Sequence, residues 1–203
     1  MAIAGSTEKG RRARARYLAA SAEVFARDGY VNATMSSIAS AAGYSQGAIY
    51  RYFPSKDAVF SDLMAHTHEE LLVSTRTGGL TDPWDALDAA NRGFLTYWSE
   101  RAGILRAFEQ AQAVDSVYGR GASRTRSAMR KRFVYSFEKR FGALSEADRE
   151  ELDALVLMLI VMTERMAVLA FASNDTQEAS ISLERLCDLT SKCWRRILQP
   201  FLA

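Results

Sequence analysis

Apolar positions along this chain recur at intervals of three and four, and no stretch alternates with the period of two that a half-buried strand requires. From Lys9 to Asp28 the positions Tyr17, Leu18, Ser21, Val24 and Phe25 make one face, and Gly29 follows where a helix should stop. Thr34 then precedes SSIASAA, ended by Gly43, and Ser45 precedes QGAIYRYF, ended by Pro54. These read as two short helices, each with a hydroxyl at its start able to accept an unpaired backbone N–H. Ser55 opens a fourth, with Val59, Phe60, Leu63, Met64, Thr67 and Leu71 in one stripe until Gly78 and Gly79 break it.

Longer helices are expected in the second half. Pro83 opens one to about Arg101, and Gly103 interrupts before a shorter piece to about Val114. Arg120 to Phe141 carries Met129, Phe133, Phe137 and Phe141 at strict four-residue spacing, and Ser145 starts the most apolar helix, which runs to about Ser173. Thr176 begins the last, ending near Pro200. No internal repeat is present, so the expected fold class is all-α, with about nine helices. The segment Leu155 to Met162 is apolar all round and must be covered on both sides. Part of that cover comes from the amphipathic last helix, and a second copy of the chain is the expected source of the rest. The alternative is a wholly internal helix in a monomer.

Composition agrees with this pattern. The 203 residues are 48% apolar and 25% charged, with only three prolines and twelve glycines, which excludes a disordered or low-complexity chain. The longest purely apolar run, Ala154 to Met162, is nine residues against the roughly 18 that a bilayer needs, and the start, MAIAGSTEKGRRARAR, lacks the apolar segment of a secretory signal. The expectation is a soluble, cytoplasmic protein with no membrane partner. Cys187 and Cys193, six positions apart on one expected helix, point to different sides and are expected to be reduced thiols.

The net charge of +2 is unevenly spread. Residues 1–60 hold eight Lys/Arg against four Asp/Glu, whereas the remainder holds eighteen against twenty. A basic N-terminal third suggests that this part meets a polyanion.

Inside that third, residues 34–53, TMSSIASAAGYSQGAIYRYF, have the layout of a helix-turn-helix. Ala39 is small enough for the second helix to cross the first, Gly43 suits a positive-φ turn, and Ile49 locks the pair from inside. With Ile49 and Phe53 facing inward, Gln46, Gly47, Tyr50 and Arg51 are free to enter a major groove. Gln46 suits a bidentate contact with adenine, Gly47 permits close backbone approach, and Tyr50 offers a phenol to phosphate. Packing of Tyr50 and Tyr52 on neighbouring helices is the competing reading. Lys56 places its charge beside a helix N-terminus, where a phosphate is welcome.

The stretch from Arg12 through Phe60, above all GYSQGAIYRYFPSKD from Gly43, resembles the DNA-binding module of TetR/AcrR-type transcriptional regulators. The YRYF wording followed by PSKDAVF carries the match, over about a quarter of the chain. The resemblance implies a three-helix DNA-binding head and a helical body with a small-molecule pocket. It also implies a homodimer through the last two long helices, and repression of a double-stranded operator relieved by an effector. On that pattern Thr34, Ser36, Ser45, Gln46, Gly47, Tyr50, Tyr52 and Lys56 match positions that touch DNA. Met35 departs from it, standing where a hydroxyl or β-branched residue is frequent. The implied division is an arm over 1–8, the DNA-binding domain over 9–70 and an effector-binding, dimer-forming domain over 71–203.

The body is rich in large aromatics and methionines, Trp84 and Tyr97 among them. Phe94, Trp98, Phe108, Met129, Phe133, Phe137, Met158, Met162 and Met166 are candidates to line a pocket for an apolar or aromatic effector, with Thr163 as a polar anchor. Ordinary core packing is the competing reading. The basic stretch Arg120 to Arg140 reads as a body helix with a solvated outer face, by virtue of its apolar stripe.

An enzyme is the alternative from another class, but no metalloprotease, nucleophile-elbow or phosphate-loop spacing is present. His66, His68 and the cysteines lack ligand-like spacing, so no metal and no cofactor is expected. A dimeric DNA-binding protein without an effector is the third reading.

Overall fold

A computed structural model describes residues 7–115, 117–173 and 181–202, the side chains of Val117 and Leu202 excepted. Among the described residues there are nine α-helices and no strand. In chain order they are α1 (Glu8–Asn32), α2 (Met35–Ala41), α3 (Gln46–Ile49), α4 (Lys56–Ser74), α5 (Pro83–Glu100), α6 (Ala102–Val114), α7 (Val117–Phe141), α8 (Glu146–Ala167) and α9 (Leu183–Leu198). A π-helical turn, Val168–Ala172, extends α8, and a 3-10 turn, Gln199–Leu202, ends α9. The expected start of the last helix, Thr176, and the first six residues of the expected arm lie outside the described residues.

Two compact units result: Met1–His68 with Arg101–Gly121, and Glu69–Glu100 with Ala122–Ala203. The first unit therefore takes α6 and the first turn of α7 from the middle of the sequence. Close backbone approach explains this grouping. A Cβ on Gly103 of α6 would lie 2.6 Å from the Ala26 carbonyl oxygen of α1, so only glycine lets the two helices meet there. Gly29 has φ 74°, in the region that favours glycine, and it breaks the helical geometry inside α1. The first helix thus breaks at Gly29, where the sequence places its stop, and a short helical piece to Asn32 follows the kink. At this break Gln110 of α6 accepts the Tyr30 N–H at 2.9 Å.

The core of the first unit is aromatic. Tyr17, Phe25, Phe53 and Phe60 are fully buried beside Val24, Ile38 and Ile49. The Phe60 ring lies 4.8 Å from both Phe25 and Tyr30, and 5.2 Å from Tyr118. The Tyr30 hydroxyl donates to Asp57 Oδ1 and lies 3.1 Å from the Tyr118 hydroxyl. Burial, followed by these hydrogen bonds, pushes the Tyr30 phenol far above its ordinary value, and burial raises Tyr118 likewise.

In the second unit α5 meets the end of α4 at Gly93, where a Cβ would lie 2.1 Å from the Ser74 carbonyl oxygen. Asn91 of α5 donates to Ser191 of α9 at 3.4 Å, and Trp194 of α9 donates its indole N–H to Thr163 of α8 at 3.2 Å. The α7 charges expected on a solvated face turn partly inward: Arg126 pairs with Glu164 at 2.8 Å and Arg130 with Asp153 at 3.1 Å.

By length and mean hydropathy the segment Glu146–Ala172 is long and apolar enough to cross a bilayer, a property the nine-residue run understated. Inside the unit Leu152, Val156, Leu159 and Thr163 are buried, whereas Met158 and Val161 stay 66% and 45% exposed. One side of α8 is thus core and the other is apolar and uncovered. Burial raises the thiol of Cys187 above its ordinary value, and neither Cys187 nor Cys193 forms a disulfide.

Candidate functional site

The helix-turn-helix is built by local chemistry. Thr34 Oγ1 accepts the Ser37 N–H at 3.0 Å while Ser37 Oγ accepts the Thr34 N–H at 3.0 Å, a reciprocal cap that fixes the start of α2. At the other end Gly43 takes φ 76°. Its N–H bonds to the Ser40 carbonyl at 3.0 Å, and that of Tyr44 to the Ala39 carbonyl at 2.9 Å. This paired closure needs a residue at ease with positive φ, which glycine supplies. Met35, the departure from the family pattern, is buried, so its apolar side chain belongs to the core.

α3 is shorter than the segment QGAIYRYF suggested. Its α-helical part ends at Ile49, and a tightened turn follows, with the Tyr52 and Phe53 N–H groups both donating to the Ile49 carbonyl. Ser45 stands at the α3 start without a side-chain cap, contrary to the sequence expectation. The single turn closes through the Ser45 backbone carbonyl, which accepts from Ala48 N at 3.0 Å, and the hydroxyl stays exposed.

Ile49 anchors α3 from inside with no exposed surface, and Ala39 is equally buried beneath it on α2. On the outside Thr34, Ser36, Ser45, Gln46, Gly47, Tyr50 and Arg51 are all exposed. A Cβ on Gly47 would meet nothing within 4 Å, so its backbone is open to a visitor. Tyr50 is 50% exposed, and packing does not claim it. Tyr52 is half-buried, its ring 5.5 Å from Tyr17. Tyr44 was not singled out from the sequence. Its ring packs tilted against Tyr17, centres 5.1 Å apart, with the Arg16 guanidinium 5.3 Å from its own centre, at the edge of the same surface. The Tyr17 hydroxyl is buried with no hydrogen-bond partner, and burial raises its pKa.

Lys56 is half-buried, with part of its ammonium turned inward. Its ammonium donates to the carbonyls of Tyr30 at 2.8 Å and Val31 at 3.2 Å, and lies 4.7 Å from the Tyr30 ring centre. The positive charge therefore serves the carbonyl-rich end of α1. The break at Gly29, invisible to a reading of α4 alone, turns those carbonyls toward it.

The second unit encloses a cavity of about 380 Å³, within the range of small-molecule sites. Phe94, Met129, Phe133, Phe137 and Thr163 line it as the sequence proposed. Five other candidates stand elsewhere. Phe108 belongs to the first unit, its ring 5.9 Å from that of His68. Trp98 is buried against Tyr97, 5.4 Å away. Met158, Met162 and Met166 share one row of α8 at four-residue spacing, and the cavity uses the row of Ile160 and Thr163 instead. Met162 Sδ instead lies 3.9 Å from Cys193 Sγ. An all-apolar helix gives no phase by which to choose between such rows.

Trp84, one of the body's large aromatics by sequence, lines it too, whereas sequence reasoning missed Phe141, Trp194 and the arginines 76, 132 and 140. A signal existed for some of these. Phe141 continues the four-residue stripe already seen, and Arg132, Ser136 and Arg140 follow the same spacing one position earlier. Among the described residues no group of three His, Cys, Asp or Glu side chains is placed to hold a metal ion.

The first unit is thus a helix-turn-helix head with a polar, exposed second-helix edge, and the second a helical body with a cavity. Residues 18–63 match the family model of the bacterial regulatory proteins, tetR family. The matched residues run from α1 into α4 and contain the whole helix-turn-helix, the stretch whose wording resembles that family. An uncharacterized HTH-type transcriptional regulator, YdgC of Bacillus subtilis (strain 168), is 33% identical over 87 residues, 43% of this chain and 45% of its own. The match thus spans less than half the length of that relative. Among solved structures, a transcriptional regulator from Rhodococcus sp. Rha1 superposes with a TM-score of 0.74 at 24% identity, over 92% of this chain and 96% of its own. A TetR-like transcriptional regulator from Rhodococcus sp. RHA1 gives 0.64 at 21%, over 91% and 95%. A tetR-family regulator from Streptomyces coelicolor gives 0.70 at 15%, over 95% and 87%. At these identities the structures show the fold, which is TetR-like along nearly the whole chain.

Proposed function

We propose that this protein is a sequence-specific transcriptional regulator, a repressor that leaves a pseudo-palindromic operator when a small, largely apolar effector enters the body. One observation carries the reading: Ile49 is wholly buried while Gln46, Gly47, Tyr50 and Arg51 around it are exposed. A short helix held from inside and bare outside, in the basic third of the chain, suits insertion into a major groove. Gln46 reads bases, Gly47 lets the backbone approach, and Thr34, Ser36, Ser45, Tyr50, Arg51 and Tyr52 meet phosphates and neighbouring bases. Lys56 holds α4 to the end of α1 and offers its remaining N–H and its charge to a phosphate.

The domain over 9–70 reads DNA, and the domain over 71–203 binds the effector and dimerises. Support for the dimer is the uncovered apolar side of α8 and α9, where Met158, Val161 and Leu189 are exposed. A symmetric pairing there buries those side chains and presents two heads to an inverted repeat. Support for the effector is the cavity with its phenylalanine stripe. Such a protein works in the cytoplasm, where the operator is.

Gel-shift titration against excess random duplex tests the reading. The expected result is a shifted band on a genomic fragment that survives competitor at moderate salt and weakens as salt rises, since phosphate contacts release counterions. Equal loss of every fragment to competitor contradicts it.

A further inference from the structure

The body cavity is apolar, yet Arg76, Arg132 and Arg140 face it and no aspartate or glutamate lines it. The contrast with neighbouring arginines is sharp. On the same helix Arg126 and Arg130 are matched to Glu164 and Asp153, and on α9 Arg195 is matched to Asp88. Arg132 instead donates to neutral acceptors: the Leu72 carbonyl at 3.0 Å, the Thr75 carbonyl at 3.2 Å and the Thr75 hydroxyl at 2.6 Å. Arg140 donates to the Leu80 carbonyl at 2.8 Å. Among the described residues none of the three cavity arginines has a carboxylate partner.

We propose that the effector is an apolar molecule bearing one carboxylate, whose charge Arg76 and Arg132 receive while its hydrocarbon part lies along Phe133, Phe137 and Trp194. This rests on the effector reading above and narrows it. The half-buried Arg132 guanidinium has no counter-anion and the exposed Arg76 stands at the cavity wall beside it, so a carboxylate there meets an unmet positive charge with charge-assisted hydrogen bonds. Burial and the nearby Arg76 both lower the Arg132 pKa, as expected of two cations sharing a site with nothing negative between them. The hydrogen bonds to Leu72 and Thr75 fix the Arg132 fork at the end of α4, so little rotamer freedom is lost on binding. Met129 and the aromatic stripe tolerate a straight chain or a ring, so the acid group is the specific element.

Isothermal titration calorimetry on the full chain tests this with two matched sets. One is decanoate, decan-1-ol and decylammonium; the other is 4-phenylbutyrate, 4-phenylbutan-1-ol and 4-phenylbutylammonium. The expected result, in at least one set, is an acid that binds tenfold or more tightly than its alcohol, with the amine weakest. The set that responds tells an aliphatic from an aromatic acid. Arg76→Gln, which removes no side-chain hydrogen bond of the fold, should abolish most of that preference by weakening the acid far more than the alcohol. Arg132→Gln should do the same, and circular dichroism reports whether its loss also loosens the end of α4. Equal binding of acid, alcohol and amine overturns the carboxylate inference but leaves the effector reading standing. An acid preference that survives Arg76→Gln overturns it too. Absence of binding by all six compounds overturns both.

Discussion

Gln110 supplies α1 with the hydrogen-bond partner that the helix loses at Gly29: its Oε1 accepts the Tyr30 N–H at 2.9 Å, across 80 residues of sequence. The amide is part-buried, so Gln110→Ala leaves the donor poorly satisfied and should cost about 1 to 2 kcal/mol. Gly29→Ala should cost about 1 to 2 kcal/mol as well, from forcing a Cβ into positive φ. Urea unfolding followed by circular dichroism reads both. An unchanged midpoint in Gln110→Ala would show that water replaces the bond at no cost.

Two glycines should behave oppositely. Gly103→Ala drives a Cβ against the backbone of Ala26 and should destabilise the first unit by about 1 to 3 kcal/mol. Gly47→Ala meets open space, so stability should hold or rise slightly while DNA affinity falls. Paired melting curves and gel shifts check this. Full DNA affinity in Gly47→Ala would remove that backbone from the interface.

The buried phenols predict an alkaline weakness. Tyr30 and Tyr118 ionise above their ordinary value of 10.0 in the fold, so the unfolded chain loses these protons first. The stabilisation is whole below that value and is lost as pH rises past it. Unfolding midpoints measured from about pH 9 to about pH 11 should therefore fall, and fall less steeply in Tyr30→Phe/Tyr118→Phe. Identical slopes in the two proteins would mean other groups govern the decline.

What could be read from sequence was what neighbours in sequence decide. Ala39, Gly43 and Ile49 sit in the roles their spacing suggested, because a turn and two short helices are held by residues within twenty positions of each other. Met129, Phe133 and Phe137 reach the cavity because a four-residue stripe has a definite face. The inward hydrogen bonds of Lys56 eluded the same reasoning because the nearer acceptor, the Tyr30 carbonyl, lies 26 positions earlier, just past the helix break at Gly29. Phe108 eluded it because α6, drawn to α1 through Gly103, joins the first unit. The methionines of α8 eluded it for want of any polar side to set the phase.

The uncovered apolar row should hold two copies together. Met158→Glu combined with Val161→Glu places charges where the account puts an interface, and should halve the mass seen by light scattering without lowering the unfolding midpoint of the monomer much. A wild-type protein that already runs as a monomer at micromolar concentration would refute the pairing.

Within the head, Gln46→Ala should relax base preference by about 1 to 3 kcal/mol, whereas Arg51→Ala should weaken all sequences alike and flatten the salt dependence by about one. Fluorescence anisotropy on matched and single-substituted duplexes separates these. The reverse pattern would mean that α3 lies in the groove with another edge forward.

Selection of binding sites from a random duplex pool by the full-length protein bears most directly on the whole account. The prediction is enrichment of one inverted repeat, its half-sites separated by about one helical turn or a multiple of it, and loss of that enrichment in Gln46→Ala. A pool that emerges as random as it entered, at moderate ionic strength and with the wild-type chain folded, would contradict it.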